Sequence, residues 1–270
     1  MILEYHHQVP EDTVKQKIGL NLYSVRDRCS TPAALSSTLR DLYAIGYRYV
    51  QISGIDDMEP DSVARAMADS GMQCCGTHIP WEMFVDQIDR VIALHRLYGT
   101  RHAAIGALPQ EYWTADGAKR YVDEARVVIP ALTDAGMDYS HHNHDHEFVR
   151  FDDRTWIDYV FDSASPFGMK MELDTYWVVA GGADPAEYIA RFGAAMSIVH
   201  VKDMSIAGRH DQRFAPIGSG NLNWNRIFPA IRDTPIEFVI VEQDTHYDDD
   251  PMENVAKSFR YLVANGFARE

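Results

Sequence analysis

Cysteine is scarce in this 270-residue chain, which carries only Cys29, Cys74 and Cys75. An odd count with two residues adjacent argues against a disulfide framework and for a reducing interior. Cys74 and Cys75, in the run MQCCGTH, read as buried strand residues rather than a vicinal redox pair. Long apolar runs are missing too. No stretch of about 18 apolar residues occurs, so no transmembrane helix is expected. The opening MILEYHHQVPEDTVKQK has no basic segment leading into an apolar core, so the expectation is a cytoplasmic protein without a signal peptide. Positive charge is in deficit: 25 Lys+Arg against 40 Asp+Glu leave a formal charge of −15. Nucleic acid and anionic membranes attract basic surfaces, so neither is expected as a partner. A G-x-G-x-x-G after the first strand-like run is also absent, which disfavours a dinucleotide fold.

What is present is an ordinary globular composition, 46% hydrophobic and 24% charged. Period and breakers give one rhythm from end to end. Strands are predicted at Ile18–Tyr23, Tyr47–Ile52, Met72–His78, Ala103–Ile105, Asp138–His144, Met169–Asp174, Ser197–Val201 and Phe238–Glu242. Between and after them, helices are predicted at Pro32–Ala44, Asp61–Ser70, Phe84–Leu97, Ala115–Ala135, Trp156–Asp162, Pro185–Phe192, Trp224–Ile231 and Asn254–Asn265. Thr31-Pro32 reads as an N-cap followed by a first-turn proline, and Gly46, Gly71, Gly99 and Gly136 stand as stops. Alternation of this kind implies parallel strands joined by right-handed crossovers. Eight such units in one domain-sized chain predict an α/β fold, a single-domain (β/α)8 TIM barrel over residues 18–270. Residues 1–17 fall outside the rhythm and read as an N-terminal extension, placed to cover the barrel base or a neighbouring subunit of a homo-oligomer.

A barrel of this type carries its chemistry at the C-terminal ends of its strands. Ionisable residues collect there: His78 on strand three, the cluster His141–Glu147 on strand five, Asp174 on six, His200 on seven and Glu242 on eight. Glu147, Asp174, His200 and Glu242 are three carboxylates and one imidazole from four consecutive strands. That donor set suits one divalent ion, Mn²⁺ first, with Mg²⁺, Co²⁺ or Zn²⁺ as alternatives. Three carboxylates gathered without a cation would repel one another. Any one of them alone reads better as a solvated loop carboxylate; the argument rests on the four together. In the run HHNHDHEF an extended chain puts His142, His144 and His146 on one face and His141, Asp145 and Glu147 on the other. The strand-five ligand is therefore open between Glu147, His142 and His144. Glu147 is preferred, with His144 a neutral imidazole able to move protons.

Several runs together resemble the sugar phosphate isomerase/epimerase group of the xylose isomerase-like TIM-barrel superfamily. They are IGLNLYSVRD (Ile18–Asp27), THIP (Thr77–Pro80), HHNHDHEF, ELDTYWVVAGGADPAEYI (Glu172–Ile189), HVKD (His200–Asp203), IGSGNLNW (Ile217–Trp224) and VEQD (Val241–Asp244). They keep the expected order over about residues 18 to 245. The resemblance implies one divalent ion held by Glu, Asp, His and Glu, with Asp174, His200 and Glu242 in three places. Many relatives carry the first Glu where this chain has His142; relatives with HNH-x-x-EF offer a later Glu, matched by Glu147. Gln51 stands where many members have Glu.

By the same resemblance the reaction moves a proton beside a sugar carbonyl through an enediolate stabilised by the ion. Glu147 and Glu242 are then the acid–base pair, His144 their competitor, and Lys202 binds a substrate oxygen or steadies Asp174. Trp81, Tyr176 and Trp177 are placed to wall a sugar face, although Trp177 reads equally as packing. His78 joins the substrate-binding set, and Tyr23 and Arg26 are placed to line the pocket. The expected function is a metal-dependent isomerase or epimerase of a keto-sugar or related polyol. The runner-up is a lyase on the same site, of the inosose-dehydratase or 3-keto-glycoside-cleaving type. An endonuclease IV-like repair enzyme is a remote alternative that the charge disfavours, and a metal-free binding protein is the third. No phosphate-cradling loop is legible beyond Gly218–Gly220, so an unphosphorylated substrate is at least as well supported as a sugar phosphate.

Overall fold

A computed structural model describes residues 16–55 and 58–269. Among these, eight parallel strands close into a barrel. They are β1 (Lys17–Asn21), β2 (Tyr49–Ile52), β3 (Gln73–His78), β4 (His102–Ile105), β5 (Asp138–His142), β6 (Lys170–Asp174), β7 (Ile198–Val201) and β8 (Phe238–Val241). Each pairs with its sequence neighbour, and β8 closes on β1. The crossover helices are α1 (Pro32–Ile45), α2 (Pro60–Ser70), α3 (Ile88–Tyr98), α4 (Ala115–Asp134), α5 (Trp156–Ala164), α6 (Pro185–Phe192), α7 (Trp224–Arg232) and α8 (Pro251–Ala264). The first begins as the sequence predicts: Thr31 accepts the amide of Ala34 and Pro32 occupies the first turn. No helix among the described residues is long and apolar enough to cross a membrane.

Side chains alternate across each strand, and this sorts the barrel into two cores. Outward residues such as Met171, Leu173, Val199, Val201, Val239 and Val241 meet the helices. Inward, Tyr49, Cys75, Ile198 and Ile240 form a small apolar layer near the base. Gly19 makes room for it, since a Cβ there would come within 2.5 Å of Ile240 Cδ1. Cys74 faces the helix layer while Cys75 faces the interior. Burial pushes the Cys74 thiol up to about 12 and the Cys75 thiol well above its usual value, so both are inert packing residues.

Three local departures from the predicted elements matter for the site. The expected strand to His144 stops at His142, because Asp145–Phe148 coil into a 3-10 turn. The expected helix Phe84–Leu97 is broken at Gln87, leaving a short helix Trp81–Asp86 before α3. An antiparallel hairpin, Asp203–Gly208 with Asp211–Ala215, rises from β7 over the barrel mouth. The N-terminal extension lies outside the described residues up to position 15. Lys17, assigned to it, instead opens β1, where it pairs with Phe238 and bridges Ala268.

Candidate active site

The mouth of the barrel collects its polar groups by register. On β6, Glu172 and Asp174 share the inward face; His142 of β5 aligns with Glu172, and His200 of β7 aligns with Asp174. Glu242 follows the last residue of β8. Ligand atoms of His142, Asp174, His200 and Glu242 all lie within 4.8 Å of one another, and all four residues are buried. His200 Nδ1 is 2.7 Å from Glu242 Oε2. Asp174 is steadied at its backbone, where its amide donates to Asn143 Oδ1 at 2.9 Å.

Glu147 is not among them. The 3-10 turn swings its side chain back behind β5, where Oε2 sits 2.9 Å from His141 Nε2. His141 in turn contacts Tyr121 on α4, so the pair belongs to the strand–helix layer. Alternation along an extended chain leaves the ligand open between His142, His144 and Glu147, with Glu147 preferred; the strand ends at His142, and the turn that follows pairs Glu147 with His141 instead. The structure brings His142 to the cluster in its place.

The remaining sequence candidates divide. A cavity of about 210 Å³ opens over the cluster and is lined by Tyr23, His78, His144, Lys202 and Glu242, with Ser53 and Asp244 beside them. Trp81 does not reach it: the ring is buried against Phe84, Tyr121 and Tyr139, and its indole donates to Glu124. Arg26 is also committed elsewhere, donating to the backbone oxygens of Tyr23 and Asp244 while stacking on the Tyr23 ring. Tyr176 and Trp177 form an aromatic roof with Phe214 of the hairpin, and Lys202 Nζ lies 4.9 Å from the Trp177 ring and 5.0 Å from that of Phe214. The glycine-rich run is not an open cradle. The buried Asp203 carboxylate accepts the amides of Gly218, Gly220 and Leu222 and the indole N–H of Trp224.

Electrostatics at the mouth are unbalanced. Three carboxylates, Asp174, Glu242 and Asp244, surround one lysine, and a fourth, Glu172, lies against His78 and His200. Lys202 Nζ sits 2.6 Å from Asp244, 3.5 Å from Asp174 and 3.6 Å from Glu242. Burial pushes the Asp174 carboxyl up to about 7, against the pull of Lys202. Burial opposes charge on His200, but Glu172 and Glu242 outweigh it and lift the ring to about 10. Burial likewise penalises charge on Glu172, yet His200 and His78 hold it well below the usual carboxylate range. His142 and His144 go the other way: burial and neighbouring cations depress both, His144 to about 3, so they are neutral. His142 Nδ1 and Asp174 Oδ2 are buried with no hydrogen-bond partner. His142 Nδ1 lies 3.7 Å from Glu172 Oε1 and its Nε2 lies 4.0 Å from Asp174 Oδ2, an arrangement of imidazole and carboxylate donors that fits a divalent cation.

A closed eight-stranded barrel with its ionisable residues at the carboxyl ends of the strands defines an α/β-barrel of the kind that hosts active sites there. The chain belongs to the xylose isomerase-like TIM barrel family, whose model matches residues 39–264. Among solved structures it is similar to a sugar phosphate isomerase/epimerase from Parabacteroides distasonis, at 22% identity over 98% of this chain and 99% of that one, with a TM-score of 0.78. It is similar also to the D-allulose 3-epimerase from Methylomonas sp. (12% identity, 93% and 98% covered, TM-score 0.68). A third is the probable 3-DHS dehydratase from Bacillus anthracis (14% identity, 92% and 99% covered, TM-score 0.70). At these identities the likeness is one of fold. No curated protein matches the chain in sequence.

Sequence reading passed over four residues that the site uses. Glu172 and Asp174 are two apart on one strand, a spacing that already places both carboxylates on one face. Ser53, Asp244 and Phe214 carry no such signal, because loop and hairpin geometry alone brings them to the cavity.

Proposed function

We propose that the chain is a divalent-metal-dependent isomerase or epimerase acting on a keto-sugar or related polyol. The convergence of His142, Asp174, His200 and Glu242 at the floor of a sugar-sized cavity carries this reading. These four would hold the ion, with Mn²⁺ preferred for a mixed oxygen and nitrogen set. A bound ion would polarise the substrate carbonyl and so make the neighbouring C–H acidic. Glu242 lies at the cavity wall, kept ionised because Lys202 and His200 outweigh the burial that opposes its charge, and it takes the proton. His144, neutral and across the β5 side, replaces Glu147 as its acid–base partner, since Glu147 is occupied by His141. Lys202 donates to a substrate oxygen, held in place by Asp244 and shielded from water by Trp177 and Phe214.

A lyase on the same site is the second reading. Its support is that an imidazole, His144, a group suited to hand a proton to a departing hydroxyl or alkoxide, lines the cavity together with Glu242. A nucleic-acid substrate has little support in a cavity of about 210 Å³ edged by carboxylates on a chain of net charge −15. Purified protein loaded with Mn²⁺ and incubated in D₂O with a keto-sugar panel separates these. Solvent deuterium in a sugar of otherwise unchanged mass supports the isomerase or epimerase; loss of water or an aglycone supports the lyase. Absence of any exchange or product across the panel, together with no bound ion, would leave a metal-free binding protein.

A further inference from the structure

Beside the four candidate ligands lies a second line of polar groups; two of them, His78 and Glu172, also lie with His142 and His200 within 4.8 Å, and Glu172 Oε1 is 3.0 Å from His200 Nε2. Gln51 Nε2 donates to both oxygens of Glu172, at 2.9 and 3.1 Å. His78 Nε2 is 2.6 Å from Glu172 Oε1, and His78 Nδ1 is 3.3 Å from Ser53 Oγ. All four residues are buried, and Ser53 and His78 line the cavity. The directions of these bonds follow from the chemistry of each end. An amide nitrogen donates and a carboxylate oxygen accepts, so the His78 tautomer that fits this geometry carries its proton on Nε2. Nδ1 is then an acceptor, and the Ser53 hydroxyl hydrogen turns towards it. That leaves the lone pairs of Ser53 Oγ as the group the relay offers to the cavity.

We propose that Gln51, Glu172, His78 and Ser53 form a directional hydrogen-bond relay, with Glu172 as its positioning residue and Ser53 as an acceptor for a substrate hydroxyl. The inference deepens the sugar or polyol reading and rests on it for the occupant: a hydroxyl donor is recognised at this wall, whereas a carboxylate would meet lone pair against lone pair. It also gives Gln51 a role. A glutamate there would set two buried carboxylates face to face, so the amide is the form that fits Glu172.

The test starts with the metal-free full-length protein and long-range ¹H–¹⁵N spectra of its histidine rings, with His78 assigned by its loss in His78→Asn. The expected result is a proton on His78 Nε2 and an unprotonated Nδ1. Glu172→Ala should abolish this preference, giving mixed tautomers, and Glu172→Gln, whose amide oxygen still accepts, should retain it. A proton on Nδ1 in the unaltered protein overturns the proposal, as does a folded Glu172→Ala protein with unchanged tautomer. Should Glu172→Ala fail to fold, the Glu172→Gln spectrum and that of the unaltered protein still decide. For any sugar that is turned over, Ser53→Ala should raise KM about tenfold with kcat little changed, as loss of one hydrogen bond implies; an unchanged KM removes Ser53 from the relay. Because the spectra need neither metal nor substrate, a failed search for turnover would count against the proposed function and leave this result standing.

Discussion

Glu147 and His142 show how one residue can carry or lose a role through local backbone alone. Both lie in the same eight-residue run, and both are buried. His142 is the last residue of β5 and faces inward; Glu147 follows a 3-10 turn and faces His141. Their variants should therefore separate. His142→Ala is expected to weaken Mn²⁺ binding at least about tenfold, read by calorimetric titration. Glu147→Ala should leave that affinity within about threefold and instead lower stability by about 1–3 kcal/mol, the cost of stranding a buried His141 donor. Equal loss of Mn²⁺ affinity in both would return Glu147 to the ligand set. The sequence made the ambiguity visible, because alternation in HHNHDHEF put the two on opposite faces. It could not say where the strand stops.

Among the elements, the loop between the hairpin and α7 is organised around a single carboxylate. Asp203 satisfies four backbone amides, of Met204, Gly218, Gly220 and Leu222, and an indole N–H that would otherwise be buried without acceptors. Gly220 is required beside it, since a Cβ there would sit 2.4 Å from Asp203 Oδ1. Asp203→Ala should cost about 3 kcal/mol or more. For a chain of this size that corresponds to a fall in Tm of roughly 6–10 °C, measurable by calorimetry. A shift under 2 °C would mean that water replaces the carboxylate. IGSGNLNW and HVKD were both legible as motifs, yet their mutual pairing was not. Residues 203 and 218–224 meet only because the hairpin folds the chain back, and a hydrogen bond across that return leaves no periodic trace.

On the scale of the whole molecule, the two ends of the barrel hold charge differently. At the base, Asp138 receives His102, Lys170 and Arg101, with Arg101 also paired to Glu237. Burial works against the Asp138 charge, but hydrogen bonds from His102 and Lys170 outweigh it and hold the carboxyl well below the usual range. A depressed carboxyl contributes stability that is complete above the unfolded value near 3.9 and is lost as pH falls below it. The urea midpoint should thus drop between about pH 5 and pH 2.5, and Asp138→Asn should flatten that drop. Identical slopes would dismiss Asp138 as a source of acid lability. At the mouth the imbalance is met by a cation in the proposed enzyme. Mn²⁺ at a hundredfold excess over its Kd should stabilise by about 2.7 kcal/mol and raise Tm by roughly 5–8 °C, reversibly with EDTA. No shift with Mn²⁺, Mg²⁺, Co²⁺ or Zn²⁺ would argue against an ion at the mouth.

Much of this was determined by sequence alone. Eight alternations of strand and helix, stopped by glycine and opened by capped prolines, admit few arrangements besides the closed parallel barrel. Parallel closure then sends the carboxyl end of every strand to one rim, so Asp174, His200, Lys202 and Glu242 had to gather there. Tertiary structure alone decided which side chains complete that rim. Trp81 turned into the helix layer, Arg26 was spent on backbone oxygens, Glu147 went behind its strand, and His142 and Ser53 came forward. The reason is physical: periodicity fixes the face of a residue while its strand lasts, but past the last residue of a strand the direction of a side chain depends on what it can pair with across the fold.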